Sequence, residues 1–364
     1  CRSCINYIIK KKKKKHLLKL QMDTNMTHKQ FVNIIIVSVL LIIAAVFSVN
    51  LNSNNYNFKN RDEVFLKKFT KNINNITTIS IESFDNTIDL VKNNNTYISE
   101  SGYPLKKGLW ENLVTSLSLL RIEEKKTNDP TRHADLNLIS PELNKSEDES
   151  EGYATKITLK NKDGSTFSSI LFGKTDPSVG GLSGGQFARI DQNNQSFLLK
   201  GAIRMPTSKS DWFESLLFTI KDEDFKNAIL YNKDKIFEVN NVKDNLKLTF
   251  PKTINFELDE SKLSDVRNVI TSFYFYDVKK SSSEYSKDLP TLSYETKDGL
   301  KISISSVEPK ADGESWVIVN VESKSVVSEK LAQEIKDKTL GFEFLANINT
   351  SDILRWNIQD LAGE

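Results

Sequence analysis

Cysteine and histidine are nearly missing from this 364-residue chain, and their absence removes whole classes of chemistry. The two cysteines are Cys1 and Cys4, so everything after them has no thiol for a disulfide, a nucleophile or a zinc site. Of three histidines, His16 and His28 lie near the start and only His133 lies in the body. A Ser/His/Asp device would therefore have to use His133, and a lone histidine is ordinarily a surface or capping residue. Strong charge of one sign is also lacking. Nine of the 50 Lys and Arg but one of the 48 Asp and Glu fall in residues 1–49, leaving 41 basic and 47 acidic groups beyond, a net of −6. Such a body does not present the clustered positive charge that a nucleic-acid surface needs.

What the chain does have is one long apolar run. Phe31 to Val49 is nineteen residues without a charge, preceded by Lys10 to Lys15, Lys19 and Lys29. At 1.5 Å per residue it nearly matches the hydrocarbon thickness of a bilayer and exceeds a usual signal-peptide core, so it reads as a single transmembrane helix. Cleavage after Ser48 is the alternative to a retained anchor. Positive charge on its N-terminal side puts residues 1–30 in the cytoplasm and the body outside it. Met26, or Met22, reads as the natural start, which would leave the lysine tract outside the protein proper. The expected organisation is a basic N-terminus over 1–30, the anchor over 31–49, an Asn-rich spacer over 50–75, and two lobes over 76–224 and 228–364.

The lobes follow from periodicity. Thr78–Glu82, Ile88–Lys92 and Thr96–Ser99 alternate as short strands, and Leu109, Leu113, Leu117 and Leu120 then fall at helical spacing with Trp110 and Val114 widening the stripe. Strands are expected at Arg121–Lys126, Ala154–Leu159, Thr166–Phe172, Phe187–Ile190 and Ser196–Leu199, with a polar loop at Pro141–Glu151. A helix through Trp212, Phe213, Leu216, Leu217 and Ile220 would close the unit. The order then repeats: strands at Ala228–Tyr231, Ile236–Asn240, Leu246–Phe250 and Thr253–Leu258, and a helix at Leu263, Val266, Ile270 and Phe273. Phe273–Lys280 stands where Leu119–Lys126 stood, Lys297-Asp298-Gly299 repeats Lys162-Asp163-Gly164, and Ser315–Val319 is matched to Gln195–Leu199. A final amphipathic helix carries Leu354, Ile358 and Leu361, with Trp356 corresponding to Trp212. The expected fold class is α+β: a single N-terminal transmembrane helix followed by two duplicated lobes, each an antiparallel sheet with packed helices.

Motifs that carry chemistry are few. Gly173-Lys174-Thr175 has the ending of a phosphate loop, but Ser168 stands where the required earlier glycine belongs. Gly180–Gly185 reads as a flexible hairpin connection rather than an anion cradle. The acidic groups Glu147, Asp148, Glu149 and Glu151, and Asp222, Glu223 and Asp224, lack the alternation and central glycine of a calcium loop. Trp110, Trp212 and Phe273–Tyr276 repeat at equivalent places and read as two cores. No catalytic, cofactor-binding or metal-binding residue is assigned, and no cofactor is expected. Paired carboxylates brought together in space are the one catalytic device this pattern leaves open.

Met26–Val49, Tyr103–Pro130, ATKITLKNKDG at Ala154–Gly164, Ile170–Gly181 and Gln195–Phe213 together resemble a bacterial family called domain of unknown function 4340. The resemblance covers the anchor and the first lobe well and the second lobe more loosely. It implies a single-pass envelope protein, often encoded beside subunits of gliding-motility-type ABC transport systems, with no established reaction and no catalytic residues to carry over. The functional expectation is a non-enzymatic accessory or binding protein of the inner membrane with a periplasmic body and a protein partner, possible ABC transporter subunits. An envelope glycan or peptide hydrolase using paired carboxylates and a ligand-sensing module are the alternatives.

Overall fold

The computed structural model describes residues 33, 35–44, 62–142, 151–179, 184–206, 208–282, 284–286, 288–307 and 313–363. One unit spans residues 1–61 and a compact unit spans Asp62–Glu364. In the first, residues 35–44 form a helix whose apolar side chains are exposed, Leu41 at 64%. Among the described residues no helix is long and apolar enough to cross a membrane. The rest of Phe31–Val49, the basic N-terminus over 1–30 and the spacer up to residue 61 lie outside the described residues.

The compact unit is α+β, with two antiparallel sheets in two lobes. The first is built from β1 (Ile76–Glu82), β2 (Thr87–Asn93), β3 (Thr96–Ser99), helix α1 (Leu109–Leu119), β4 (Arg121–Lys125), β5 (Thr155–Asn161), β6 (Thr166–Asp176), β7 (Gly185–Ile190) and β8 (Ser196–Lys200). After β9 (Leu216–Phe218) come β10 (Phe225–Asn232), β11 (Asp234–Val242), β12 (Asn245–Phe250), α2 (Glu260–Thr271), β13 (Phe273–Lys280), β14 (Thr291–Thr296), β15 (Leu300–Ser306), β16 (Trp316–Ser323), α3 (Val326–Thr339), β17 (Phe342–Ala346) and α4 (Ile348–Arg355). The strand orders are β3-β2-β1-β5-β6-β7-β8-β4 and β12-β11-β10-β14-β15-β16-β17-β13-β9. Leaving out β9, the two sheets have one topology: a three-stranded meander, a helix, a strand sent to the far edge, then a four-stranded meander filling the space between.

The differences from the sequence pattern have physical causes. Trp212 to Ile220 has helical spacing but is a 3-10 turn (Ser210–Trp212) followed by β9, which pairs with β13 of the second sheet through Phe218 opposite Phe273. Pairing to a strand about 55 residues away in the chain outweighs a short local period. Thr253–Leu258 is not a strand; only Leu258 bridges, to Ala362. Trp316–Ser323 corresponds to β7 rather than to Ser196–Lys200, whose counterpart is β17, because α3 is inserted between β16 and β17. α3 buries Ser328, Ala332, Ile335 and Thr339 and leaves Val326 and Val327 more than three-quarters exposed, so its apolar period is too weak to read. The last helix is α4 followed by a separate 3-10 turn at Ile358–Leu361.

Alternation sets the inner faces. Ile79, Ile157, Ile170 and Leu199 from the first sheet share one continuous core with Leu230, Ile302, Val317 and Phe344 from the second. α2 is capped by Asp259, whose carboxylate accepts from the Ser261 amide at 2.8 Å, and is tied to β14 by Tyr294 Oη donating to the Val266 carbonyl at 2.6 Å. The two sheets meet around Tyr103, buried just after β3. Its ring lies edge-on to Phe213, Phe275, Phe342 and Phe344, with centroids 5.0 to 5.8 Å apart. Burial, with help from Glu214, pushes its phenol up to about 12. Tyr103→Ala is expected to cost about 3–5 kcal/mol in denaturant unfolding, whereas Tyr103→Phe, which keeps the ring, is expected to cost less than about 1 kcal/mol.

Candidate functional site: a groove where the sheets meet

The segment between Gly201 and Phe213 leaves the first sheet, passes the β1–β2 turn and enters the second sheet as β9. Two neighbouring hollows open along it. One, of about 340 Å³, is lined by Phe84, Tyr153, Gln186, Met205 and Trp212. The other, of about 450 Å³, is lined by Asp89, Ser99 and Ser101 from the first lobe and by Asp277, Lys279 and Trp316 from the second. Ile88 and Lys209 border both. Gln186 sets the end of the first hollow: its amide donates to the Gly173 carbonyl at 3.1 Å and accepts from the Ile203 amide at 2.9 Å.

Lys209, Asp277 and Lys279, which line the groove, are paired. Lys209 Nζ lies 2.7 Å from Asp277 Oδ2, and Lys279 lies 3.2 Å from Glu343 Oε2 and 4.3 Å from the Trp316 ring centroid. Glu343 also accepts from the Ser282 amide at 2.9 Å and from Tyr285 Oη at 2.7 Å. Burial pushes the Glu343 carboxyl up, but Tyr285, Ser282 and Lys279 outweigh it and hold it below the usual carboxylate range. Asp89 Oδ1 is shut off from solvent with no hydrogen bond among the described residues. An aromatic wall beside paired ions is suited to recognition of a mixed polar and apolar group.

Of the residues singled out in the sequence, Trp212 lines the first hollow and the others do not converge on this groove. His133 is buried, not on the surface, at the junction of two 3-10 turns, and Nε2 donates to the Asn194 carbonyl at 2.9 Å. It pins the long β4–β5 connection to the β7–β8 turn. Gly173 lies in β6, and a Cβ there would stand 2.1 Å from the Leu136 carbonyl oxygen, so its role is close passage of the same connection rather than phosphate binding. Lys156, also buried, anchors that connection through Glu142 at 2.5 Å and reaches Asp191 at 3.4 Å; burial works against its charge, yet these carboxylates leave its pKa raised. Gly180 to Ser183, and Glu147, Asp148 and Glu149, lie outside the described residues. Asp222 pairs with Arg267 at 3.3 Å on an exposed turn. Among the described residues no cluster of acidic, His or Cys side chains could hold a metal ion. Trp110 packs at a tilt against Tyr97 with ring centroids 5.4 Å apart, and Trp212, Phe273 and Phe275 are core, but Tyr274 and Tyr276 point to solvent at 45% and 47% exposure.

Asp89, Lys209, Asp277, Lys279 and Trp316 were not singled out in the sequence. They come from β2, the linking segment, β13 and β16, and only the alternation Asp277-Val278-Lys279 hinted that two charges share a face.

Glu343 gives a pH test. Its folded pKa lies below the ordinary 4.5, so its contribution is complete above about pH 4.5 and is lost as pH falls from there through the lowered value. Glu343→Gln is expected to cost about 2–3 kcal/mol at neutral pH and to flatten that acid-side loss, read by denaturant unfolding across pH 3 to 7. An unchanged acid slope in the variant would assign the loss to other carboxylates.

No curated protein and no solved structure matches the chain. The family model described as "Domain of unknown function (DUF4340)" matches residues 96–290, from β3 to the residue before β14, more than half of the chain. That span takes in the edge of the first sheet, the linking segment and the β13 side of the groove, and by it the chain belongs to the DUF4340 family.

Proposed function

We propose that this chain is a non-enzymatic, membrane-anchored extracytoplasmic binding protein that serves an ABC transport system of the bacterial cell envelope. One observation carries the anchor. Residues 35–44 form an apolar helix in which Ile35, Ile36, Val37 and Val39 to Ile43 are 46–64% exposed, with nothing among the described residues covering them. Stacked apolar side chains left open on a helix call for a lipid or protein cover, and the uncharged run that contains them extends over Phe31–Val49. Lysines on the N-terminal side favour a cytoplasmic N-terminus and an inner-membrane protein with its body on the outer side. The paired charges and aromatic wall of the groove support recognition as the body's task.

In cell fractionation the full-length chain is expected to stay with the membrane through an alkaline carbonate wash and to need detergent for release. Protease added to spheroplasts is expected to digest the body. Release by carbonate overturns the anchor, and protection in intact spheroplasts overturns the orientation. Co-purification in mild detergent is expected to recover transporter subunits; a free monomer, under conditions that keep known transporter complexes together, removes the association.

A further inference from the structure

The connections β4–β5 and β13–β14 hold the same place in two sheets of the same topology, yet they differ in what they cover. In the first sheet the long β4–β5 connection doubles back over the outer face. Its Leu138 and Ala154 pack on Leu171, Phe187 and Leu198, which point away from the main core. Arg189 Nε donates to the Leu138 carbonyl at 3.0 Å, and His133 and the close passage at Gly173 hold the strap down beside it. All three sheet residues are buried, the most exposed at 8%.

In the second sheet the connection lies between β13 and β14, and of its described residues Ser282 and Tyr285 satisfy Glu343 at one edge. The outer face of β10, β14, β15 and β16 has no strap among the described residues. The second sheet nevertheless carries an outward cross-strand pair of the same kind, Trp316 opposite Leu345, where the first has Phe187 opposite Leu198. Trp316, Leu345 and the neighbouring Ile318 are all partly exposed. Beside them a hollow of about 370 Å³ runs over β10, β14 and β15, lined by Asn227, Ser293 and Ser303 and by the charged Glu295, Lys301 and Lys324. A row of short amide and hydroxyl groups next to an apolar strip matches the two demands of an extended peptide, hydrogen bonds for its backbone and a seat for a large side chain.

We infer that the outer face of the second sheet is the docking surface for an extended peptide segment of a protein partner. A large aliphatic or aromatic side chain of that segment covers Trp316, Ile318 and Leu345, and its backbone lies along the Asn227, Ser293 and Ser303 row. The first sheet supplies in cis the cover that the second takes in trans. This rests on the reading of the chain as a binding protein, but not on its anchor or its compartment.

The test is a photoreactive benzoylphenylalanine placed at Ile318 or Ser303 in the full-length chain within its own cells, with Lys330 on the exposed side of α3 as control. Adducts from 318 and 303 are expected on one protein, mapping to a single short contiguous segment, with none from 330. Ile318→Glu and Ser303→Arg, each on the solvent side of the sheet, are expected to lower recovery of that protein about tenfold or more with the thermal unfolding midpoint unchanged. Adducts only to lipid, only to a second copy of this chain, equally from 330, or none at all overturn the proposal. A chain released by carbonate that still crosslinks as expected removes the anchor and keeps this surface.

Discussion

The contact on which the rest depends is the insertion of the Tyr103 ring among Phe213, Phe275, Phe342 and Phe344. One residue of the first lobe is packed by the linking segment and by two strands of the second, so the inner faces of both sheets merge into one core. Edge-to-face aromatic packing is directional, and it adds to the apolar burial that draws the lobes together. The groove exists because of this junction. Its walls come from β2 and the turn after β3 on one side and from β13 and β16 on the other, and neither sheet alone would form it.

The chain carries two sheets of one topology but treats them differently. In the first, Lys156, Arg189 and His133 are all buried polar groups committed to holding a strap, each satisfied by a carbonyl or carboxylate. Burying such groups without partners would be costly, and their full satisfaction makes the strap a fixed part of the lobe. In the second, the short connection meets Glu343, and the face beyond it keeps Ser, Asn, Glu and Lys side chains beside the apolar strip of Trp316, Ile318 and Leu345. One lobe is closed and structural; the other retains an open surface.

Much of the fold was legible in the residues. Strict alternation marked most strands, and the leucine spacing from Leu109 to Leu117 marked α1, because both patterns reflect burial on one side of a locally regular backbone. The repeated turn at Lys162-Asp163-Gly164 and Lys297-Asp298-Gly299 marked two hairpins, β5–β6 and β14–β15, that hold the same place in the two sheets. What escaped was set by distant partners. β9 carries a helical spacing but takes its structure from β13, and α3 hides because its buried face sets Ser328, Ala332 and Thr339 around a single large apolar residue, Ile335. The groove left almost no trace, since its residues are dispersed across the chain and are ordinary charged and aromatic side chains one by one.

The residues alone determined the chemistry that is excluded by missing thiols and imidazoles, the apolar run with its flanking lysines, and most of the individual strands together with α1 and α2. These follow from composition and from periods of two and 3.6, which need no knowledge of neighbours. Only the tertiary structure decided that β9 belongs to the second sheet, that Gly173 and His133 serve a strap, and that Lys209 meets Asp277 across 68 positions in the chain. Those outcomes depend on which surfaces become adjacent on collapse, a property of packing between elements that no local pattern encodes.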